Sequence, residues 1–243
     1  MDHAPLKEPR ETPPRGALED LARDPSSRKR FLSMAGGAGA ASAFAVFLAA
    51  CGKETEEGPA RPPPQTSGLD QFGKGDVAIL NYALTLEYVE ADFYEQVVES
   101  GVVRDREIAS LAKEIGENEQ EHVEALRETV SQMGATPAKK PRTKFDTVIA
   151  EGPRKILETA AMVENLGAAA YLGQAANIQD ESVLAAALSI HTVEARHAAA
   201  LNRAAGHAFM GDSELVGTLP NGAFAKPMDA QAVLKEVKPF LAA

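Results

Sequence analysis

Proline sets the first limit on how this chain can fold. Nine of its 15 prolines fall at or before Pro64, and none lies in Gln65–Thr136 or Arg154–Leu219, so two long helix-permissive windows follow a punctuated leader. Capping residues and glycines divide each window into two helices. The first window predicts helices over about Asp76–Glu99, with Asp76 as N-cap and Gly101 as stop, and over Asp105–Met133, stopped by Gly134. The second predicts Pro153–Asn177, with proline at its first position, and Asp180–Ala205, capped by Asp180 and stopped by Gly206. The links within each pair are short, so each pair is an antiparallel hairpin. Gly134–Gly152 is too long for a turn and, at about 3.3 Å per extended residue, can run the ~38 Å of a 25-residue helix. The expectation is an all-α bundle, 76–207, of two antiparallel hairpins joined by one long crossover. An extension, 208–243, carries a short helix near Asp229–Val237 that straps over the bundle.

Composition narrows the chemistry. The formal net charge of -10 would repel a phosphate backbone, so nucleic acid is excluded as a partner. The single cysteine, Cys51, excludes an internal disulfide, a thiolate zinc site and an iron–sulfur cluster within one chain. Any metal must therefore sit on oxygen and nitrogen. Trp is absent and aromatics are 5%, which leaves an aliphatic, alanine-rich core.

Residues 1–51 read as an export signal and are set apart from the fold. Ser27-Arg28-Lys29-Arg30-Phe31-Leu32 precedes an uncharged stretch from Phe31 to Ala50, which ends in Leu48-Ala49-Ala50-Cys51. The first segment resembles a twin-arginine signal, with Lys29 in place of the second arginine. The last resembles a bacterial lipobox, which implies lipidation of Cys51 and a membrane-anchored lipoprotein outside the cytoplasm. The same apolar stretch is long enough to span a bilayer as an uncleaved helix. Residues 52–75, rich in Gly, Pro and Glu, read as a semi-rigid spacer.

Two Glu-x-x-His pairs, Glu119/His122 and Glu194/His197, occupy matching places in the two hairpins. Positions three apart share a helix face, so carboxylate and imidazole can address one ion. The other two helices each carry an acid within an apolar stripe. On the first the stripe is Leu80, Leu84, Glu87, Tyr94, Val98; on the third it is Ile156, Ala160, Glu164, Tyr171. The step from this acid to the Glu-x-x-His glutamate is 32 residues in the first hairpin and 30 in the second. Four buried glutamates need counter-charge, which two divalent cations supply. Oxygen and imidazole donors without thiolate suit iron or manganese. Glu90, Glu117, Glu121 and Glu124 read as solvated-face acids, and His191 and His207 receive no role. Gly116 and Gly167, each one turn from a proposed ligand, leave room for an oxidant or for close helix packing.

The segments Asn81–Tyr94 and Val163–Tyr171 resemble the first and third helices of ferritin-like proteins, specifically an exported bacterial branch related to desiccation-related proteins. The resemblance covers about 76–243. It implies the ferritin-like four-helix fold and two iron or manganese ions held by Glu87, Glu119, His122, Glu164, Glu194 and His197. Glu119 and Glu194 would be the bridges, and Tyr94 and Tyr171 would stand behind the ligands or serve as plain core residues. It further implies reaction with dioxygen or peroxide: catalase-like chemistry with manganese, ferroxidase or peroxidase chemistry with iron, in an oxidative-stress role. The alternative is a non-enzymatic stress- or desiccation-protective envelope protein with a structural or empty metal site. A cysteine-ligated iron domain of the rubrerythrin kind is excluded, and a lipid tether disfavours a storage cage. A homodimer is left open.

Overall fold

The computed structural model describes residues 68–209, 211 and 225–242. The expected export signal, Cys51 and the spacer as far as residue 67 lie outside the described residues. The helices are α1 (Gly75–Ser100), α2 (Arg106–Gln132), α3 (Asp146–Glu151), α4 (Pro153–Ala175), α5 (Glu181–Ala204) and α6 (Ala230–Val237). Among the described residues there is no strand, and no helix is long and apolar enough to cross a membrane.

Local chemistry accounts for most of the boundaries. Asp105 accepts from the backbone N–H groups of Glu107 and Ile108, and Asp180 from those of Ser182 and Val183, so each satisfies donors that the first turn leaves unpaired. Gly101 ends α1 in the left-handed region, at φ 60°. Asp76 does not cap α1. The helix starts one residue earlier, after an extended Lys74 with no side-chain cap. The Asp76 carboxylate instead accepts from the backbone N–H groups of Gln179 and Asp180, tying the start of α1 to the α4–α5 turn.

Helices α1 and α2 pack as one hairpin and α4 and α5 as the other; α1 lies against α4, and α2 against α5. Tyr94 bonds Glu164, Tyr171 bonds Glu87, and Asp76 bonds Asp180. Rising numbers on α1 thus meet falling numbers on α4, which makes the two antiparallel. The crossover supplies that reversal by running alongside α1 from its beginning to its end. Ala138 donates to Asn81, and Thr143 lies against Gln96 and Asp92 further along. Lys140 pairs with Asp92 on the way. The crossover then forms α3, which sequence periodicity did not reveal because the helix is six residues long. Phe145, fully buried, packs on Phe93 and Phe240.

Helices α1 and α4 are buried around most of their circumference, because the crossover and a 3-10 turn cover α1 while α3 and α6 cover α4, and α2 and α5 are buried along one face. Val98, placed on the apolar stripe by its spacing, lies exposed near the end of α1. The fold also reaches into the expected spacer: Leu69 is fully buried and Asp70–Phe72 forms a 3-10 turn against α1. Helix α6, capped by Asp229, packs on α4. Gly173 permits this contact, since a Cβ there would meet the Met228 carbonyl oxygen at 1.9 Å. The final residues pin the crossover through Lys144 N–H to Phe240 and Ala242 N–H to Arg142.

Candidate metal centre

The bundle brings together all six residues proposed as ligands. Glu87, Glu119, Glu164 and Glu194 are each 0% exposed, and His197 is buried beside them. Ligand-type atoms of Glu87, Glu119, His122 and Glu194 lie within 4.8 Å of one another, as do those of Glu119, Glu164, Glu194 and His197. Glu119 and Glu194 belong to both groups, the position a bridging carboxylate requires. Each histidine turns Nδ1 toward the acids. His122 Nδ1 stands 2.9 Å from Glu119, 3.2 Å from Glu87 and 3.3 Å from Glu194. His197 Nδ1 stands 2.8 Å from Glu119 and 3.1 Å from Glu164.

The tyrosines complete a cross-braced frame. Tyr94 on α1 donates to Glu164 on α4 at 2.6 Å, and Tyr171 on α4 donates to Glu87 on α1 at 2.5 Å. Each phenol occupies one oxygen of its glutamate, leaving the other oxygen directed at a histidine. Asn118 stands 3.1 Å from His197 Nε2. A protonated or metal-bound His197 carries a hydrogen at Nε2, so the Asn118 amide presents its oxygen there, the two ends of an amide being interchangeable in position.

Electrostatics reflects how costly this assembly is without a cation. Burial, opposed by His122, pushes the Glu87 carboxyl up to about 7. Burial and neighbouring carboxylates drive Glu90 and Glu194 well above the usual range, and burial and Glu119 raise Glu164 against the pull of His197 and Tyr94. Glu119 moves the other way: burial would raise it, but His122 and His197 together hold it below its ordinary value. Burial opposes the charged imidazoles, yet the facing glutamates outweigh it, raising His122 and taking His197 to about 11. Without a cation, burial and mutual repulsion therefore favour the protonated form of Glu87, Glu90, Glu164 and Glu194, whereas the two histidines favour the ionised form of Glu119.

The donor set of carboxylate oxygens and imidazole nitrogens suits hard or borderline cations. Both oxygens of Glu194 are buried without a hydrogen-bond partner, and only Oε1 has a cationic neighbour, His122 Nδ1 at ion-pair distance. Buried carboxylate oxygens left in this way find their natural partner in a metal ion.

Glu90 corrects the sequence reading, which assigned it to a solvated face. It is buried, 4% exposed, and its Oε2 has no partner. Glu117 and Glu121 are exposed as expected, with Glu117 paired to Lys113, and Glu124 is half-buried. The two glycines also separate. A Cβ at Gly116 would meet Tyr94 Cβ at 2.8 Å, so that glycine serves close helix packing; a Cβ at Gly167 would meet Glu194 Oε2 at 2.5 Å and Glu90 Oε1 at 2.8 Å. The room at Gly167 is taken by carboxylates. Asn118 carried no sequence signal beyond lying next to Glu119.

Residues 75–207 match the family model described as a ferritin-like domain. No curated protein matches the chain.

Proposed function

Because the chain belongs to the ferritin-like domain family, we propose that its buried cluster holds two ions of iron or manganese and reacts with dioxygen or peroxide. The observation that carries this reading is the pair of ligand groups sharing Glu119 and Glu194, with unpartnered Glu194 oxygens at their junction. Such ions would supply Lewis-acid and redox chemistry toward a bound oxidant. The chain's own residues bind and orient: Tyr94 and Tyr171 fix Glu164 and Glu87, Asn118 fixes His197, and the surrounding helices keep bulk water out. An apolar cavity lined by Ile79, Leu80, Ala83, Leu86 and Ala170 also reaches Tyr171, and its chemistry suits a small apolar molecule such as dioxygen. Loading the purified protein with Fe(II) or Mn(II), counting ions per chain, and then following Fe(II) oxidation and peroxide consumption tests the reading. Two ions with turnover support it; two ions that never turn over leave only a structural centre.

One observation favours that second, non-enzymatic reading, a stress- or desiccation-protective envelope protein. The histidines and glutamates already pair with one another, so the frame has internal counter-charges of its own. For either reading, the twin-arginine-like and lipobox-like segments support export and a membrane tether through Cys51.

A further inference from the structure

Glu87, Tyr94, Glu119 and His122 in the first hairpin correspond in order to Glu164, Tyr171, Glu194 and His197 in the second. The correspondence breaks three residues after the first glutamate of each half, where one half has Glu90 and the other Gly167. These two positions face each other across the α1–α4 contact. The glycine admits the acid, because a Cβ at 167 would stand 2.8 Å from Glu90 Oε1 and 2.5 Å from Glu194 Oε2. The carboxylates of Glu90 and Glu194 thus converge over the missing side chain. No hydrogen bond joins them: Glu90 Oε2 and both Glu194 oxygens lack a hydrogen-bond partner, and Glu194 Oε2 has no ion-pair partner either. Glu90 is also more than nine-tenths buried, and its Oε2 is shut off from solvent. Two buried carboxyl groups that converge without a hydrogen bond between them are made favourable by a cation between them.

We propose that Glu90 is a seventh side-chain ligand of the metal centre, admitted by Gly167 and approaching from the Glu194 side. This rests on the metal reading above and extends it, since the six-residue set is balanced by two divalent ions and a fifth carboxylate is not. With Glu90 bound, the centre carries one more negative charge and tolerates a higher total cation charge.

The test is metal binding by the full domain, without any turnover assay. Mn(II) is titrated into wild type, Glu90→Gln, Gly167→Ala and Glu121→Gln, with free Mn(II) read from its electron paramagnetic resonance signal. The bound ions are read from the spectrum of the coupled pair. Glu90→Gln keeps the shape of the side chain and removes its charge, and its metal-free melting temperature checks that the fold survives. The expected result is at least about a tenfold loss of affinity for one of the two ions and an altered pair spectrum in Glu90→Gln. Gly167→Ala should show a similar loss although every carboxylate is present, and Glu121→Gln should match wild type. Unchanged affinity and spectrum in Glu90→Gln would overturn this proposal alone. A wild-type protein that binds no Mn(II) and no Fe(II) would overturn the metal reading with it.

Discussion

Tyr94 on α1 donates to Glu164 on α4 at 2.6 Å, and Tyr171 on α4 returns the same bond to Glu87 on α1 at 2.5 Å. Each hairpin therefore positions a glutamate of the other, so the site is assembled only when the hairpins dock. Tyr171→Phe should leave the fold intact, cost about 1 kcal/mol in stability, and weaken binding of Mn(II) or Fe(II) by about tenfold. Tyr94→Phe should do the same through Glu164. Calorimetric titration with thermal melts checks both, and unaltered affinity in both variants would make the tyrosines core residues only.

The shared carboxylates should matter more than any others. Glu119→Ala and Glu194→Ala should each abolish binding of the pair of ions, because each removes a donor from both groups. Glu121→Ala, exposed and two positions from Glu119, should bind as wild type does. Ions per chain after equilibration and desalting decide this. Equal stoichiometry in all three would sink the ligand assignment.

The duplicated Glu-x-x-His pattern, the cap at Asp180 and the glycine stops at Gly101, Gly134 and Gly206 make the hairpins legible in the sequence, because these signals are local to one helix. What sequence did not convey is what depends on a partner helix. Glu90 looks solvated from α1 alone, and only the glycine opposite, at 167, turns its position into the interior. Asp76 has the chemistry of a cap, but the turn at Gln179 and Asp180 competes for its carboxylate and wins it. Gly116 carries no periodicity signal that would tell packing against Tyr94 from an open path to the site.

The C-terminal strap depends on one missing methyl group. A Cβ at Gly173 would overlap the backbone carbonyl of Met228, which cannot swing aside as a long side chain can. Gly173→Ala should therefore detach the segment leading into α6, lower the melting temperature and speed amide exchange over Ala230–Val237. It should leave the metal stoichiometry intact, since no ligand lies in the strap. Hydrogen exchange read by mass spectrometry would show this, and undiminished protection in α6 would contradict it.

If Cys51 carries the anchor, Cys51→Ser should shift the protein from the membrane fraction to the soluble envelope fraction or leave its precursor unprocessed. Fractionation with immunodetection reads the outcome. Membrane retention equal to wild type, without lipid on the mutant, would favour the uncleaved apolar helix instead.

The charge state of the site predicts how stability changes with pH. In the metal-free protein Glu87 is raised to about 7 from 4.5, Glu90, Glu164 and Glu194 are raised as well, and His197 rises from 6.5 to about 11 with His122 alongside it. Each of these groups holds its proton more tightly folded than unfolded. The stability it contributes is complete below its unfolded value and drains away as pH climbs through its folded one. Glu119 has the opposite sign, gaining above 4.5 and losing only in stronger acid, so it adds no slope between pH 5 and 8. Metal-free protein should therefore melt at progressively lower temperature from pH 5 to pH 8. Bound cations replace those protons, favour the ionised carboxylates and stabilise the native state by mass action. The melting temperature of the loaded protein should exceed that of the metal-free form by more at pH 7.5 than at pH 5, measured at fixed free-metal concentration. A gap absent at both values, or larger at pH 5, would mean that these glutamates do not share a buried metal site.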